Sequence, residues 1–334
     1  MQTSHSRTGC ASPEAEATPE SAVAARFIND RVAVLIPCYN EAATIGLVVE
    51  DFRRYLPSAA IYVYDNNSTD DTVGIARAAG AEVRHEYRQG KGHVVRRMFA
   101  DIDADVYLLV DGDATYDPSA SPAMVDRVLS GPFDKVNGAR VHSDPEAYRL
   151  GHILGNRLLT RMVSFFFGEA SRDMLSGYKA LSRRFVKTFP AASSGFEIET
   201  ELLVHALELG VPMSEIDIRY YERPAGSVSK LSTYRDGLRI LRLIVHLLRD
   251  LLPLQFFTSI AVVLAALAAI FGIPVIAEFL ETGLVPRFPT LIAASATMIM
   301  AFLSVFAGLI LDSVARGRKE AKLLAYLSYG PARR

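Results

Sequence analysis

Val106-Tyr107-Leu108-Leu109-Val110-Asp111-Gly112-Asp113 is the stretch from which the rest of the chain can be read. Five apolar or aromatic residues with β-branched ends describe a buried strand, and the run delivers two carboxylates, two positions apart, where that strand ends. Asp111 and Asp113 would share a face if the strand continued, and Gly112 between them lets backbone come close to a ligand. Hard oxygen donors of this kind suit Mg²⁺ or Mn²⁺, which take one or two carboxylates and fill their other positions with water and substrate phosphates. In isolation Asp-Gly-Asp reads more readily as a turn, so the surrounding sequence has to decide.

Upstream, Val32-Ala33-Val34-Leu35-Ile36 is a second apolar run, ended by Pro37. Asn40 is expected to cap a helix from Glu41 that carries Ile45, Val48, Val49 and Phe52 at helical spacing. Ile61-Tyr62-Val63-Tyr64 makes another strand, and Ser68 with Asp71 resembles a capping box for a helix through Ala79. A Gly90-Lys91-Gly92 loop precedes a third helix marked by Val95, Met98, Phe99 and Ile102. Its backbone donors and one cation, just before a helix start, form an arrangement that can receive a phosphate. Strands alternating with helices predict an α/β fold, a mostly parallel sheet with helices on both faces. Ligands of such sheets bind at the carboxyl ends of the strands. There Pro37-Cys38-Tyr39-Asn40-Glu41, Asp65-Asn66-Asn67-Ser68 and Asp111-Gly112-Asp113 would converge, which favours the metal over the turn.

With these motifs in this order the chain resembles the family 2 glycosyltransferases of the GT-A (Rossmann-like) fold. Three later motifs are similar to the polyprenyl-phosphate branch, which includes dolichyl-phosphate mannose synthases and bacterial undecaprenyl-phosphate sugar transferases. They are Asp173-Met174-Leu175-Ser176-Gly177-Tyr178, Gly195-Phe196-Glu197-Ile198-Glu199-Thr200-Glu201 and Arg223-Pro224-Ala225-Gly226-Ser227-Val228-Ser229-Lys230-Leu231. The resemblance implies a nucleotide-sugar site in which Tyr39 lies by the base, Asp65 accepts a hydrogen bond from it, and Pro37 and Glu41 shape the same wall. Asn67, Lys91, Gly92, Asp111 and Gly112 complete that site, and Asp111 and Asp113 would hold the divalent ion that bridges the donor diphosphate.

A catalytic carboxylate near the acceptor is expected at Asp173, with Glu197 and Glu199 behind it, although acids at the front of a helix also simply suit its dipole. A phosphate monoester, with a second pKa of about 6, is already substantially dianionic at neutral pH and needs little help from a base. Arg183 and Arg184 are also available to neutralise phosphates, but the lipid-phosphate group expected is Arg140, Arg223, Ser229, Lys230, Arg235 and Arg239.

A net charge of −1 across 334 residues gives no sign of a nucleic-acid partner, and Cys10 and Cys38 alone suggest no disulfide framework. Residues 1–26, rich in Ser, Thr, Ala, Pro and Glu, are expected to be a disordered tail, with no apolar stretch that would make a signal peptide. The glycosyltransferase domain is expected over 27–228. Across 229–252, Arg235, Arg239, Arg242, His246 and Arg249 form a polar stripe on an otherwise apolar helix, suited to a membrane interface and its lipids. Two uncharged runs, 256–277 and 288–311, predict a transmembrane hairpin over 253–311, and 312–334 a cytoplasmic basic tail. Cations on both flanks, with Arg287 alone in the connection, place the catalytic part in the cytoplasm.

The expected activity is inverting transfer of one sugar from a nucleotide-sugar donor, UDP-linked hexose or N-acetylhexosamine, to a polyprenyl (undecaprenyl or dolichyl) phosphate. A processive polysaccharide synthase is disfavoured because a chain with no Trp lacks Gln-x-x-Arg-Trp. A catalytically silent membrane scaffold is the other alternative. A homo-oligomer is compatible with the sequence, which does not fix the number of subunits.

Overall fold

The computed structural model describes residues 31–142, 172–173, 176–195, 197–224, 242, 245–246 and 248–330. The N-terminal tail, Ser229, Lys230, Arg235, Arg239 and most of the amphipathic segment lie outside these residues.

Seven strands form one mixed sheet: β1 (Val32–Cys38), β2 (Ala60–Asp65), β3 (Glu82–His85), β4 (Val106–Leu109), β5 (Lys135–His142), β6 (Lys179–Ser182) and β7 (Met213–Tyr220). Their order is β3-β2-β1-β4-β6-β5-β7. β1 pairs in parallel with β2 and β4, β2 with β3, and β5 with β7, whereas β6 runs antiparallel to β4 and β5. The carboxyl ends of β1, β2 and β4 therefore open on one edge, where the three polar loops begin.

Helices cover both faces: α1 (Ile45–Tyr55), α2 (Thr72–Ala78), α3 (Lys91–Asp101), α4 (Ser121–Leu129), α5 (Arg183–Thr188) and α6 (Ile198–Leu209). β1 shows why its sequence is a continuous apolar run. Val34 and Ile36 enter one core with Val48, Phe52 and Met124, while Ala33 and Leu35 enter the other with Met98, Phe99 and Leu202. Alternate side chains leave opposite faces of a strand, and here both faces are buried.

Two helix starts differ from the sequence expectation, for one shared reason. α1 begins at Ile45, not Glu41, because the Asn40 side chain accepts the Thr69 N–H (2.7 Å) and the Glu41 N–H donates to the Thr72 hydroxyl (2.8 Å). α2 begins at Thr72, because the Ser68 hydroxyl accepts the Asn40 N–H (2.9 Å) and Asp70 accepts the Thr72 N–H (3.1 Å). The polar residues that read as caps cross-link the loops after β1 and β2 to each other.

The C-terminal part is a pair of long helices, α7 (Pro253–Thr282) and α8 (Phe288–Leu327), each long and apolar enough to cross a membrane. Their buried seam is mostly small residues, Ala261, Ala268 and Gly272 with Val275 on α7 and Ala294, Ala301 and Gly308 on α8, which lets the two backbones approach closely. α8 continues well past Leu311, so the basic segment is helical and returns to the sheet domain. Lys322 lies 2.7 Å from Glu208, and Arg318 donates to the Asp250 carbonyl at 2.6 Å. The Tyr326 hydroxyl donates to Asp134 at 2.6 Å, beneath the Arg184 guanidinium, 4.7 Å from the Tyr326 ring centre.

Candidate active site

At the end of β4 the chain turns, so Asp111 and Asp113 do not continue a strand. Gly112 sits against β1: a Cβ there would lie 2.8 Å from Cys38 Sγ, and its carbonyl accepts the Thr44 hydroxyl at 2.7 Å. Asp111, the more exposed of the two carboxylates, accepts from Lys91 Nζ at 2.6 Å. Asp113 is buried, with one oxygen bonded by the Thr115 hydroxyl (2.6 Å) and the other 2.6 Å from Arg223.

Lys91 is the first residue of α3, and its ammonium also lies 2.7 Å from Glu199 near the start of α6. Glu199 in turn contacts Lys179 of β6, whose ammonium bonds the Ser176 carbonyl. A line of alternating charges, Asp111, Lys91, Glu199 and Lys179, thus runs from the mouth of the site into the interior. Burial pushes the Asp111 carboxyl above its ordinary value, Asp113 and Glu199 adding to the rise against the pull of Lys91. Burial acts upward on Glu199 too, but Lys179 and Lys91 outweigh it and hold that carboxyl down at about 2. Glu199 is therefore an anion within the fold, paired with two lysines. Glu197, also buried, sits two residues earlier, where its carbonyl accepts the Glu201 N–H at 3.0 Å.

Asp173, the expected catalytic carboxylate, is buried and gripped by Arg140, with Nε at 2.6 Å and Nη2 at 2.8 Å. Burial alone would raise its pKa, but the Arg140 bonds and charge bring it below the ordinary carboxylate range. This pair joins two residues that the sequence reading expected to act separately. A carboxylate so paired is a poor base, and Arg140 is also stacked on Tyr220 at 5.3 Å. Arg183 and Arg184 likewise serve Asp103 and Asp134.

The loop before α3 is held by backbone and side-chain partners of its own. The Gly92 N–H donates to the Ser194 carbonyl (3.1 Å) and the Gly90 N–H to Asn66 (2.7 Å), so neither is offered to a phosphate. Glycine is required for packing: a Cβ on either residue would meet a carbonyl oxygen of Ser193 or Ser194 at 2.1 Å. Asn67, with φ 66°, directs its amide to the Tyr87 carbonyl (3.0 Å), and buried Asn66 braces the same segment through the Glu86 and Arg88 carbonyls.

At the end of β2, buried Asp65 accepts the Ser68 N–H at 3.2 Å and lies 3.3 Å from His85 of β3. Tyr39 is exposed at the mouth, Pro37 is half-buried in β1 opposite Tyr64, and Glu41 is buried with an oxygen 3.4 Å from the Thr44 hydroxyl. Sequence reasoning missed Asn66, Lys179 and Tyr116, whose hydroxyl accepts the Gly177 N–H (2.7 Å) and holds that glycine against the Asp111 carboxylate. A Gly177 Cβ would lie 2.2 Å from Asp111 Oδ2, so only glycine fits there. The motif spacing was visible, but the polar partners depend on tertiary contacts.

Among the described residues no group of three or more His, Cys, Asp or Glu is arranged to hold a metal by itself. Two carboxylates, Asp111 lining a cleft and Asp113 beside it, fit Mg²⁺ or Mn²⁺, which complete their shell with phosphate and water, and do not fit zinc.

Comparison with known proteins agrees with this geometry. The family model for glycosyl transferase family 2 matches residues 33–189. Glycosyltransferase AglJ of Haloferax volcanii is 37% identical over 233 residues, 69% of this chain and 76% of that protein. A dolichyl-phosphate hexose transferase of the same organism is 31% identical over 217 residues, 65% of this chain and 93% of its own. Among solved structures, glucosyl-3-phosphoglycerate synthase from Mycobacterium tuberculosis in complex with Mn²⁺ and UDP-glucose shares the fold. It superposes with a TM-score of 0.56 and 23% identity over 73% of this chain and 84% of that one. The chain belongs to the family 2 glycosyltransferases, on a GT-A fold joined to a candidate membrane hairpin.

Proposed function

We propose that this enzyme transfers one sugar, with inversion, from a UDP-linked hexose or N-acetylhexosamine to a polyprenyl phosphate at the cytoplasmic face of a membrane. The observation that carries the reading is the joining of the Asp111/Asp113 site to two apolar helices of membrane-spanning length, the second of which binds back to the sheet domain through Lys322 and Tyr326. A lipid acceptor explains why a soluble-looking catalytic fold is held so closely to such a hairpin. The dolichyl-phosphate hexose transferase among its relatives supports the acceptor, and the UDP-glucose complex of a structural neighbour supports the donor.

Asp111 and Asp113 would hold Mg²⁺ or Mn²⁺, which when bound supplies Lewis-acid stabilisation to the leaving diphosphate. Tyr39 and Asp65 bind and orient the base. Arg223, just after β7 and beside Asp113, supplies positive charge where an incoming lipid phosphate must approach the sugar. The phosphate acceptor arrives largely deprotonated, which accords with Asp173 being paired to Arg140 rather than available as a base.

The test uses purified protein in detergent with Mg²⁺ or Mn²⁺, radiolabelled UDP- and GDP-sugars, and undecaprenyl or dolichyl phosphate. One sugar per lipid is expected. Polymeric product would favour a processive synthase, and no transfer from any donor would refute the reading. Asp111→Asn with Asp113→Asn should reduce transfer about 100-fold or more, whereas a silent scaffold would keep its cellular role in that variant.

A further inference from the structure

We propose that Glu199 is a positioning residue that offers the Lys91 ammonium a second seat, so that Asp111 can exchange Lys91 for a divalent ion. The inference rests on the metal reading above and goes beyond it, because Glu199 is assigned no contact with the metal.

One ammonium is shared between two carboxylates at nearly equal distance, 2.6 Å from Asp111 and 2.7 Å from Glu199. The two carboxylates are not equivalent. The Asp111 side chain is 29% exposed and faces the cleft, whereas Glu199 is 4% exposed and lies behind Lys91. Drawing a buried ammonium off its carboxylate is costly when nothing replaces the partner. Glu199 removes that cost, because Lys91 keeps an anion whichever way it leans. Glu199 is itself held: Lys179 contacts its other oxygen and ties it to the Ser176 carbonyl, one residue before the glycine that packs on Asp111. Without Glu199, Lys91 would be left to hold Asp111 at full strength in competition with the ion.

The test measures Mn²⁺ binding to the full-length protein, without nucleotide, from the electron paramagnetic resonance signal of free Mn²⁺. Lys91→Met should bind Mn²⁺ at least as tightly as the unsubstituted protein, because the competing cation is gone. Glu199→Gln should bind about tenfold more weakly, the scale of one neighbouring-charge interaction. In the Lys91→Met background, Glu199→Gln should change affinity by less than about threefold, since no ammonium remains to be seated. A tenfold loss that persists in that background would show Glu199 acting only through its field or the fold, and would overturn the proposal. Equal affinity in Glu199→Gln and the unsubstituted protein would overturn it too. If Glu199→Gln does not fold, Glu199→Asp keeps an anion for Lys179 while drawing it back from Lys91, and the same loss is expected. Mn²⁺ binding that is absent, or unaffected by Asp111→Asn, would defeat the metal reading itself, an outcome distinct from the other two.

Discussion

A guanidinium nitrogen of Arg223 lies 2.6 Å from Asp113 Oδ2, so a residue just after the last strand neutralises the second carboxylate of Asp-Gly-Asp. The contact puts a cation from beyond the last strand and a carboxylate from the loop after β4 within one hydrogen bond of each other.

If Arg223 serves the incoming phosphate, Arg223→Ala should raise the apparent KM for polyprenyl phosphate about tenfold or more while leaving the donor KM within about threefold. Steady-state kinetics with each substrate varied in turn will separate the two. A rise confined to the donor KM would reassign Arg223 to the diphosphate.

The Arg140–Asp173 pair is buried and bidentate, so Asp173→Asn should cost roughly 3–5 kcal/mol by stranding the guanidinium. Arg140→Met with Asp173→Leu should recover most of that loss in thermal denaturation and retain transfer. A double variant that folds but is inactive would restore Asp173 as a catalytic group. Because the Asp173 pKa lies below its ordinary 3.8, its contribution is complete above that value and fades as pH falls through the folded-state value.

His205 gives a pH signature in a different window. It is buried between Phe185 and Phe189, ring centres 5.2 and 5.3 Å away, and burial together with the Lys322 charge pushes its pKa from 6.5 down to about 3. The unfolded chain takes up a proton below 6.5 that the folded one refuses, so stability present above that pH is lost as pH falls. Between pH 7 and 5 the loss should be about 2 kcal/mol, and His205→Gln should flatten the dependence in urea denaturation.

The strands that build the site were legible because they are buried on both faces and read as apolar runs, as β1 and β4 show. Ile45, Val48, Val49 and Phe52 are all buried, as their spacing predicts. β3 escaped because it is a sheet edge, Glu82-Val83-Arg84-His85, with no fully buried side chain to impose a pattern. At the site, residue types were legible and partnerships were not. Asp173 and Arg140 each looked reactive, and only the packing of Asp173 against β5 shows that they pair with each other. Lys179 drew no notice, since a lysine in a four-residue strand reads as surface until Glu199 is seen beside it.

Tyr326 should be worth more than its place in a basic tail suggests. Its hydroxyl bonds an Asp134 carboxylate that Ser182 and Arg184 also bond, so Tyr326→Phe should cost about 1–3 kcal/mol in thermal unfolding. Transfer to a membrane-embedded polyprenyl phosphate should fall more than transfer to a short-chain, water-soluble analogue.

α8 runs from the hairpin seam to Tyr326 as a single helix, and this makes the connection one of phase as well as distance. Tyr326 follows the seam residue Gly308 by eighteen positions, about five full turns. A helix face that meets α7 at one end therefore meets Asp134 at the other. Inserting one residue between them would swing Tyr326 by about 100° and unseat it, while inserting seven would bring it back near its bearing about 10 Å further along. The helix behaves as a keyed shaft: rotation of its hairpin end is transmitted to the catalytic domain, and hence to the direction in which the active site faces.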